Sequence, residues 1–141
     1  MTHTVYPAAE PATFNLLVVH GMQEHAGRYH EFASFMSQHG GNVITFNLPG
    51  HGEGQHNPNQ LGDFGSEGLH SVLPMIREHF ARFDNALPNV LFGHSMGSAI
   101  ALRYAQQYPH LDHLILSGVP YRNAHLYQLA HHTARIEKRI K

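Results

Sequence analysis

The nonapeptide VLFGHSMGS, residues 90–98, decides the fold of this chain. Its first three residues are a short apolar run, which is typical of a buried strand, and a helical pattern follows from Ser98 to Tyr108. Between them lies Gly93-His94-Ser95-Met96-Gly97, a G-x-S-x-G pentapeptide in the strand-to-helix context that this motif requires. We therefore predict a tight turn that holds Ser95 in a strained backbone conformation above the end of a strand.

Small residues flank the predicted turn, because a side chain at Gly93 or Gly97 would block the close passage of the chain. A tight turn alone would explain these two glycines, but it would not explain the serine between them. A serine nucleophile needs two N–H donors for the developing oxyanion, and the residue after it, Met96, is the usual first donor. His20-Gly21-Met22 ends an earlier apolar run, so the Met22 amide is the predicted second donor.

Apolar runs alternate with helical patterns along the chain. The runs are Phe14–Val19, Val43–Phe46, Val90–Phe92 and Leu114–Leu116, and the helical patterns cover Tyr29–Met36, Leu69–Phe83, Ser98–Tyr108 and Leu126–Ile140. This order predicts βαβ crossovers, and therefore an α/β fold with a parallel sheet of about four strands flanked by helices. Thr2–Thr13 is predicted to be an irregular lead-in, and Pro74 predicts a kink or a late start of its helix.

Composition excludes several classes of protein. The 141 residues carry a net charge of -1, which argues against a nucleic-acid binder, and the absence of cysteine excludes disulfide scaffolds, thiolate metal sites and cysteine nucleophiles. No apolar run reaches the length of a membrane span, and Met1–Pro11 has neither a basic nor an apolar leader region. We expect one cytoplasmic domain over residues 1–141.

Three motifs together resemble the α/β-hydrolase superfamily, and most closely its monoacylglycerol lipase and lysophospholipase branch of serine hydrolases. HGMQEHAGRY, residues 20–29, matches the HGxxEHxGRY segment of that branch. LPGHG, residues 48–52, matches its second glycine loop. GHSMGS, residues 93–98, matches its nucleophile elbow, the strand-to-helix turn that carries the serine; we call this turn the elbow below. Their order and spacing agree from about Phe14 to Gly118.

The resemblance implies that Ser95 is the nucleophile and that the backbone N–H groups of Met22 and Met96 form the oxyanion hole. The residues that would support these motifs are His20, Gly21, Gly93, His94 and Gly97. The implied reaction is hydrolysis of acylglycerol or lysophospholipid-type esters through an acyl-enzyme. Its partner is a small-molecule acyl ester, and it needs no metal and no organic cofactor.

A helical lid or tail is expected to start within residues 121–141, and through it the protein would contact a membrane peripherally. Nothing in the sequence indicates an oligomeric state. The chain departs from the family pattern at Asn47, where Asp is usual, at Ser98, which replaces a frequent glycine, and at Pro74. The change at Asn47 is expected to weaken a supporting contact and not the chemistry.

A serine triad needs a histidine base and an acid, which follow the serine in this superfamily. The histidines after Ser95 are His110, His113, His125, His131 and His132, and the acids are Asp112 and Glu137. Residues 110–113 precede a strand and are expected at the opposite end of the sheet, and the last three histidines fall in the predicted lid. The complete fold of this superfamily has about eight strands, whereas this sequence predicts four. We therefore expect an incomplete domain that lacks the triad acid and base and has little triad-dependent turnover alone.

Two alternatives stay open. One is a metal-binding role, which the 15 histidines suggest. However, His20, His25 and His30 are five residues apart, and this spacing does not align metal ligands on one helix face. Most of the histidines are predicted to be polar surface residues, and no metal site is assigned. The other alternative is a non-catalytic interaction or dimerisation module built on open sheet edges. Peptide and thioester hydrolases share the elbow and are also not excluded.

Overall fold

A computed structural model of the chain describes residues 3–9, 11–52, 61–84 and 86–120. The strands are β1 (His3–Tyr6), β2 (Phe14–Val19), β3 (Gly41–Phe46), β4 (Asn89–His94) and β5 (His113–Ser117). The helices are α1 (His30–Gln38), α2 (Val72–Phe80) and α3 (Met96–Gln107), and short 3-10 turns at Ala26–Tyr29 and Gly68–Ser71 lead into the first two.

The strands form one mostly parallel sheet in the order β1-β3-β2-β4-β5. Strands β2 to β5 are mutually parallel, and β1 runs antiparallel to β3 at one edge. Two helical crossovers therefore bring the carboxyl ends of β2 and β4 side by side, with Val19 paired to Gly93. This register places the HGM segment and the G-x-S-x-G segment at the same edge of the sheet.

Apolar residues on both faces of the sheet form the core. Along β2, Leu17 and Val19 pack towards α2 and α3, whereas Leu16 and Val18 pack towards Ala33 of α1. Each fully buried leucine contributes about 2 kcal/mol of burial free energy. A sheet covered on both faces explains why its central strand is a continuous apolar run and not an alternating one.

The four predicted strands and the α/β fold are confirmed. The prediction of an irregular lead-in is wrong over His3–Tyr6, which pairs with Val43–Phe46 as the antiparallel edge strand β1. The sequence does not predict this four-residue strand because only Val5 and Tyr6 in it are large and apolar. An edge strand of this kind buries none of its residues fully, so it needs no longer apolar run.

The late helix start predicted from Pro74 is also confirmed. Helix α2 begins at Val72, so Pro74 lies in the first turn, where a backbone N–H has no partner within the helix anyway. The predicted lid or tail at residues 121–141 lies outside the described residues. No helix in the described ranges is both long and apolar enough to cross a lipid bilayer.

Candidate active site

The turn between β4 and α3 holds Ser95 in a backbone conformation that L-residues rarely adopt. Its φ is +50° and its ψ is −119°, and it is one of two non-glycine residues with positive φ in the described part of the chain. Its N–H donates to Ser117 O at 2.8 Å, and its carbonyl accepts the N–H and the hydroxyl of Ser98 at 2.9 and 2.6 Å. The strained conformation is thus fixed by bonds on both sides.

Two glycines make this turn possible. A methyl group at Gly93 would collide with the carbonyl of Gly97, and one at Gly97 would collide with the carbonyl of Val19. The elbow is therefore pressed directly against the backbone end of β2. These contacts are the physical reason why positions 93 and 97 require small residues.

Gly21 follows β2 and lies against Ser95. A Cβ placed on Gly21 would be 3.1 Å from Ser95 Cβ and 3.3 Å from His94 O. The Gly21–Met22 peptide therefore adjoins the serine, on the loop that was predicted to supply the second N–H donor. Met96, which carries the other predicted donor, is the first residue of α3.

His20 is buried beneath this loop and bridges two chain segments. Leu48 N–H donates to its Nε2 at 3.0 Å, so the imidazole proton lies on Nδ1, which is 2.7 Å from Gly21 O and donates to it. Burial lowers the pKa of His20 and keeps the ring neutral. Because the C=O and N–H of a trans peptide point in opposite directions, the bond to Gly21 O turns the Met22 N–H away from the imidazole.

Glu24 holds the same loop from the other side. Its Oε2 accepts the Gly21 N–H at 2.9 Å and the Tyr29 hydroxyl at 2.8 Å, and its Oε1 lies 3.2 Å from Arg28 Nη1 and 3.8 Å from His94 Nε2. Burial raises the pKa of this carboxyl, but the bonds from Gly21 and Tyr29 and the nearby His94 and Arg28 lower it, and the net pKa is below its ordinary value. Glu24 is therefore ionised at neutral pH.

The residues where the sequence departs from the family pattern make supporting contacts. Asn47 Oδ1 accepts the Ala26 N–H at 2.7 Å, and its side chain fills the space above Gly52. The amide oxygen thus takes the acceptor position that an aspartate would offer. The Ser98 hydroxyl, as described above, bonds the Ser95 carbonyl and so adds a contact to the elbow.

A cavity of about 570 Å³ opens beside the two methionines of the predicted oxyanion hole. Its apolar lining in the described residues includes Met22, Met96, Leu61 and Phe64, and Glu24 is the one acidic residue among those that line it. The size falls in the range of small-molecule sites. The lining suits an apolar group next to the serine.

The acid and the base of a triad are not found beside Ser95 in the described ranges. His113 pairs with Val90 at the start of β4, which confirms that residues 110–113 lie at the opposite end of the sheet. There, Tyr104 OH is 2.8 Å from His110 Nε2, and Asp112 accepts the Asn89 N–H. His125, His131, His132 and Glu137 lie outside the described residues.

The side chain of His94, next to the serine in sequence, contacts Ser117 and Glu24. Its Nδ1 is 3.2 Å from Ser117 Oγ and its Nε2 faces Glu24. It therefore connects the elbow to the end of β5 and to the loop after β2. In the described part of the chain, no three histidine or carboxylate side chains come close enough together to hold a metal ion.

The roles of Glu24 and Tyr29 are not evident from the sequence alone, although both residues lie within the HGMQEHAGRY segment. The signal is a glutamate three residues after a glycine that lies just beyond a strand. At that distance its carboxylate returns to the Gly21 N–H, as in a capping box.

Comparison with known proteins gives a consistent family. A family model described as "Serine aminopeptidase, S33" matches residues 10–141. The monoacylglycerol lipase of Mycolicibacterium smegmatis is 35% identical over 112 residues, which cover 78% of this chain and 39% of that protein. The monoglyceride lipase of Homo sapiens is 32% identical over 97 residues, which cover 67% of this chain and 30% of that protein.

A solved structure agrees with these matches. A thermostable carboxyl esterase from Bacillus coagulans, crystallised with glycerol, superposes with a TM-score of 0.66 at 30% identity, over 81% of this chain and 38% of that one. The chain thus spans 30% to 39% of the length of these relatives.

Proposed function

This chain belongs to the serine aminopeptidase S33 family of α/β-hydrolases, and from that premise we propose that Ser95 is the nucleophile of a lipase- or esterase-type serine hydrolase. The observation that carries the proposal is the backbone of Ser95, held at φ +50° at the start of α3 and pressed against Gly21. Strain of this kind, fixed from both sides, is stored at functional turns.

The proposed step is acyl transfer from an ester to Ser95. Ser95 Oγ forms a bond to the ester carbonyl carbon, the bond from that carbon to the alcohol oxygen breaks, and the serine proton passes through a base to the departing alcohol. The N–H groups of Met22 and Met96 would hold the oxyanion. Water then releases the acid from the acyl-enzyme. His20, Gly21, Gly93, His94 and Gly97 support this arrangement in the proposal.

The proposed substrate class is an acylglycerol or a related lipid ester. Two observations support an ester with an apolar acyl group: the apolar cavity beside Met22 and Met96, and relatives named as monoacylglycerol lipases. Peptide hydrolysis, which the family description suggests, is less favoured by the cavity. An aminopeptidase would use a free carboxylate to bind the substrate's amino group, and Glu24, the one acidic residue among the described residues of the lining, already accepts Gly21 and Tyr29 and contacts Arg28.

A fluorophosphonate probe tests the nucleophile. We expect the chain to be labelled at Ser95, with complete loss in Ser95→Ala. Ser117→Ala is the matched control, because Ser117 lies at the same edge of the sheet and its carbonyl oxygen accepts the Ser95 N–H. Labelling that persists in Ser95→Ala, or a wild-type chain that does not react, would refute the proposal.

The same probe tests the absent base. Since no described histidine bonds the Ser95 hydroxyl, we propose that this chain alone reacts slowly and that added imidazole, a small general base, raises the labelling rate. The reference is a full-length relative such as the Mycolicibacterium smegmatis lipase. Labelling as fast as that of the relative and insensitive to imidazole would show that the chain supplies its own base.

An interaction module remains the second candidate because of one observation. Strand β5 lies at the edge of the described sheet and exposes Ile115, whose side chain is 43% accessible. A dimer by light scattering that Ile115→Lys converts to monomer, together with no reaction at Ser95, would favour this candidate over the enzyme.

A further inference from the structure

The loop between β2 and α1 contains a carboxylate, Glu24, that accepts a hydrogen bond from Gly21 beside the predicted oxyanion hole. Glu24 is 12% exposed, and one of its oxygens accepts the Gly21 N–H and the Tyr29 hydroxyl together. Buried carboxylates normally pair with a cation or fill all their acceptor sites. Glu24 pairs with Arg28 through its second oxygen.

Glu24 and His20 hold Gly21 through its two different peptide groups. Glu24 accepts the N–H of the His20–Gly21 peptide, and His20 donates to the carbonyl of the Gly21–Met22 peptide. With both peptides fixed, rotation about the Gly21 backbone is blocked, although a glycine is otherwise the most mobile residue of a chain. The direction of the Met22 N–H depends on this double restraint.

The second oxygen of Glu24 reaches the elbow. His94 Nε2 is 3.8 Å away, and the other nitrogen of His94 contacts Ser117, whose carbonyl accepts the Ser95 N–H. Both N–H donors of the predicted hole are therefore in elements that contact Glu24, directly or through His94. A carboxylate so close to a developing oxyanion would oppose it unless its charge were balanced, and Arg28 lies on the solvent side of this carboxylate.

We propose that Glu24 is a positioning residue, which fixes Gly21 so that the Met22 N–H can receive the oxyanion formed at Ser95. This inference rests on the proposed function of Ser95. It assigns Glu24 no contact with substrate and no proton transfer.

Two substitutions of Glu24 distinguish the effect of its hydrogen bonds from the effect of its charge. In Glu24→Gln the amide oxygen can take the place of Oε2 and accept both Gly21 N–H and Tyr29 OH, so these two bonds are kept, whereas the charge and the ion pair with Arg28 are lost. Glu24→Ala loses all of them. We expect the rate constant for fluorophosphonate labelling of Ser95 to fall about tenfold or more in Glu24→Ala, since loss of one oxyanion donor costs about 10²–10³ in rate. In Glu24→Gln we expect it to stay within about threefold of wild type.

Amide hydrogen exchange at Gly21 gives a readout that does not depend on reactivity. Protection of this N–H should be lost in Glu24→Ala and retained in Glu24→Gln. Glu31→Ala is the matched control, because Glu31 is an exposed carboxylate on the adjacent helix α1 and should change neither quantity. Labelling rates are compared per folded molecule, with the folded fraction taken from circular dichroism.

The outcomes distinguish the inference from its premise. A wild-type chain that does not react at Ser95 overturns the proposed function and the role of Glu24 with it. A reactive wild type whose Glu24→Ala variant labels equally fast, or keeps its Gly21 protection, overturns the role of Glu24 alone. Equal losses in Glu24→Ala and Glu24→Gln would show that the charge acts and not the position, and would also refute it.

Discussion

Two histidines are buried to the same extent in this molecule and are held in opposite ways. His20, at the carboxyl edge of the sheet, is 1% exposed, and His79, on α2, is 2% exposed. Both nitrogens of His20 are hydrogen-bonded, to Gly21 and to Leu48. Neither nitrogen of His79 has a partner among the described residues, and its ring packs against Phe46 at a tilt, with a centroid distance of 4.5 Å.

The difference shows what each imidazole contributes. His20 connects the loop after β2 to the loop after β3 and so orients a peptide at the candidate site. His79 fills space between α2 and the sheet, where a leucine would serve. An unpaired buried polar group costs about 1–3 kcal/mol, so His79 is a local weakness, whereas His20 supports the site.

Replacement of His20 should have the largest effect. His20→Ala leaves Gly21 O and Leu48 N–H without partners and opens a cavity, so we expect the free energy of unfolding to fall by about 3 kcal/mol. Because the Gly21–Met22 peptide is released, labelling of Ser95 per folded molecule should also fall about tenfold or more. Urea denaturation and fluorophosphonate labelling measure the two losses.

His79→Ala is the matched control for that variant. This substitution removes a ring of the same size and burial. Because the His79 ring contacts no residue of the candidate site, labelling per folded molecule should stay at the wild-type level. If both alanine variants slow labelling equally, the contrast between a site histidine and a core histidine is wrong.

The sequence predicted the first histidine better than the second. His20 is part of an HGM segment at the end of a strand, and that context alone placed it at the site. The periodic pattern over Leu69–Phe83 contains four residues that are buried, but it also contains Leu69, which is exposed, and it omits the buried His79; the four buried residues are Val72, Leu73, Ile76 and Phe80. Periodicity assigns a polar residue to the surface, and only the tertiary structure shows that β1 and Phe46 cover this one.

The same limit applies to the general prediction that most histidines lie on the surface. It holds for the exposed members, which in the described ranges are His25, His30, His39, His70, His110 and His113. These six are the majority of the eleven histidines in the described ranges, so the prediction is confirmed there, with three buried exceptions, namely His20, His51 and His79. Glu24 illustrates the limit at the site, because its contact with His94 joins segments 70 residues apart, and no local pattern contains it.

Acid should destabilise the protein through His79. Burial, with the nearby His3 and Arg82, lowers its pKa from 6.5 to about 4, so between these values the unfolded chain binds more protons than the folded one. Stability therefore rises with pH across this window, and it is lost as pH falls from about 6.5 to 4. We expect about 2 kcal/mol of this loss to come from His79, measured as urea midpoints at pH 7 and pH 4.5.

The smallest effect, and the one that isolates His79, is expected from His79→Leu. Leucine has nearly the volume of histidine and no unpaired nitrogen, so the variant should be about 1 kcal/mol more stable than wild type at pH 7. Its advantage should grow as pH falls, because leucine takes up no proton in the unfolded chain. The exposed His70, just before α2, provides the control, and His70→Leu should leave the pH dependence of wild type intact. Parallel stability curves for His79→Leu and wild type from pH 7 to pH 4.5 would mean that His79 is not the group that titrates, and that the buried His20 is the better candidate.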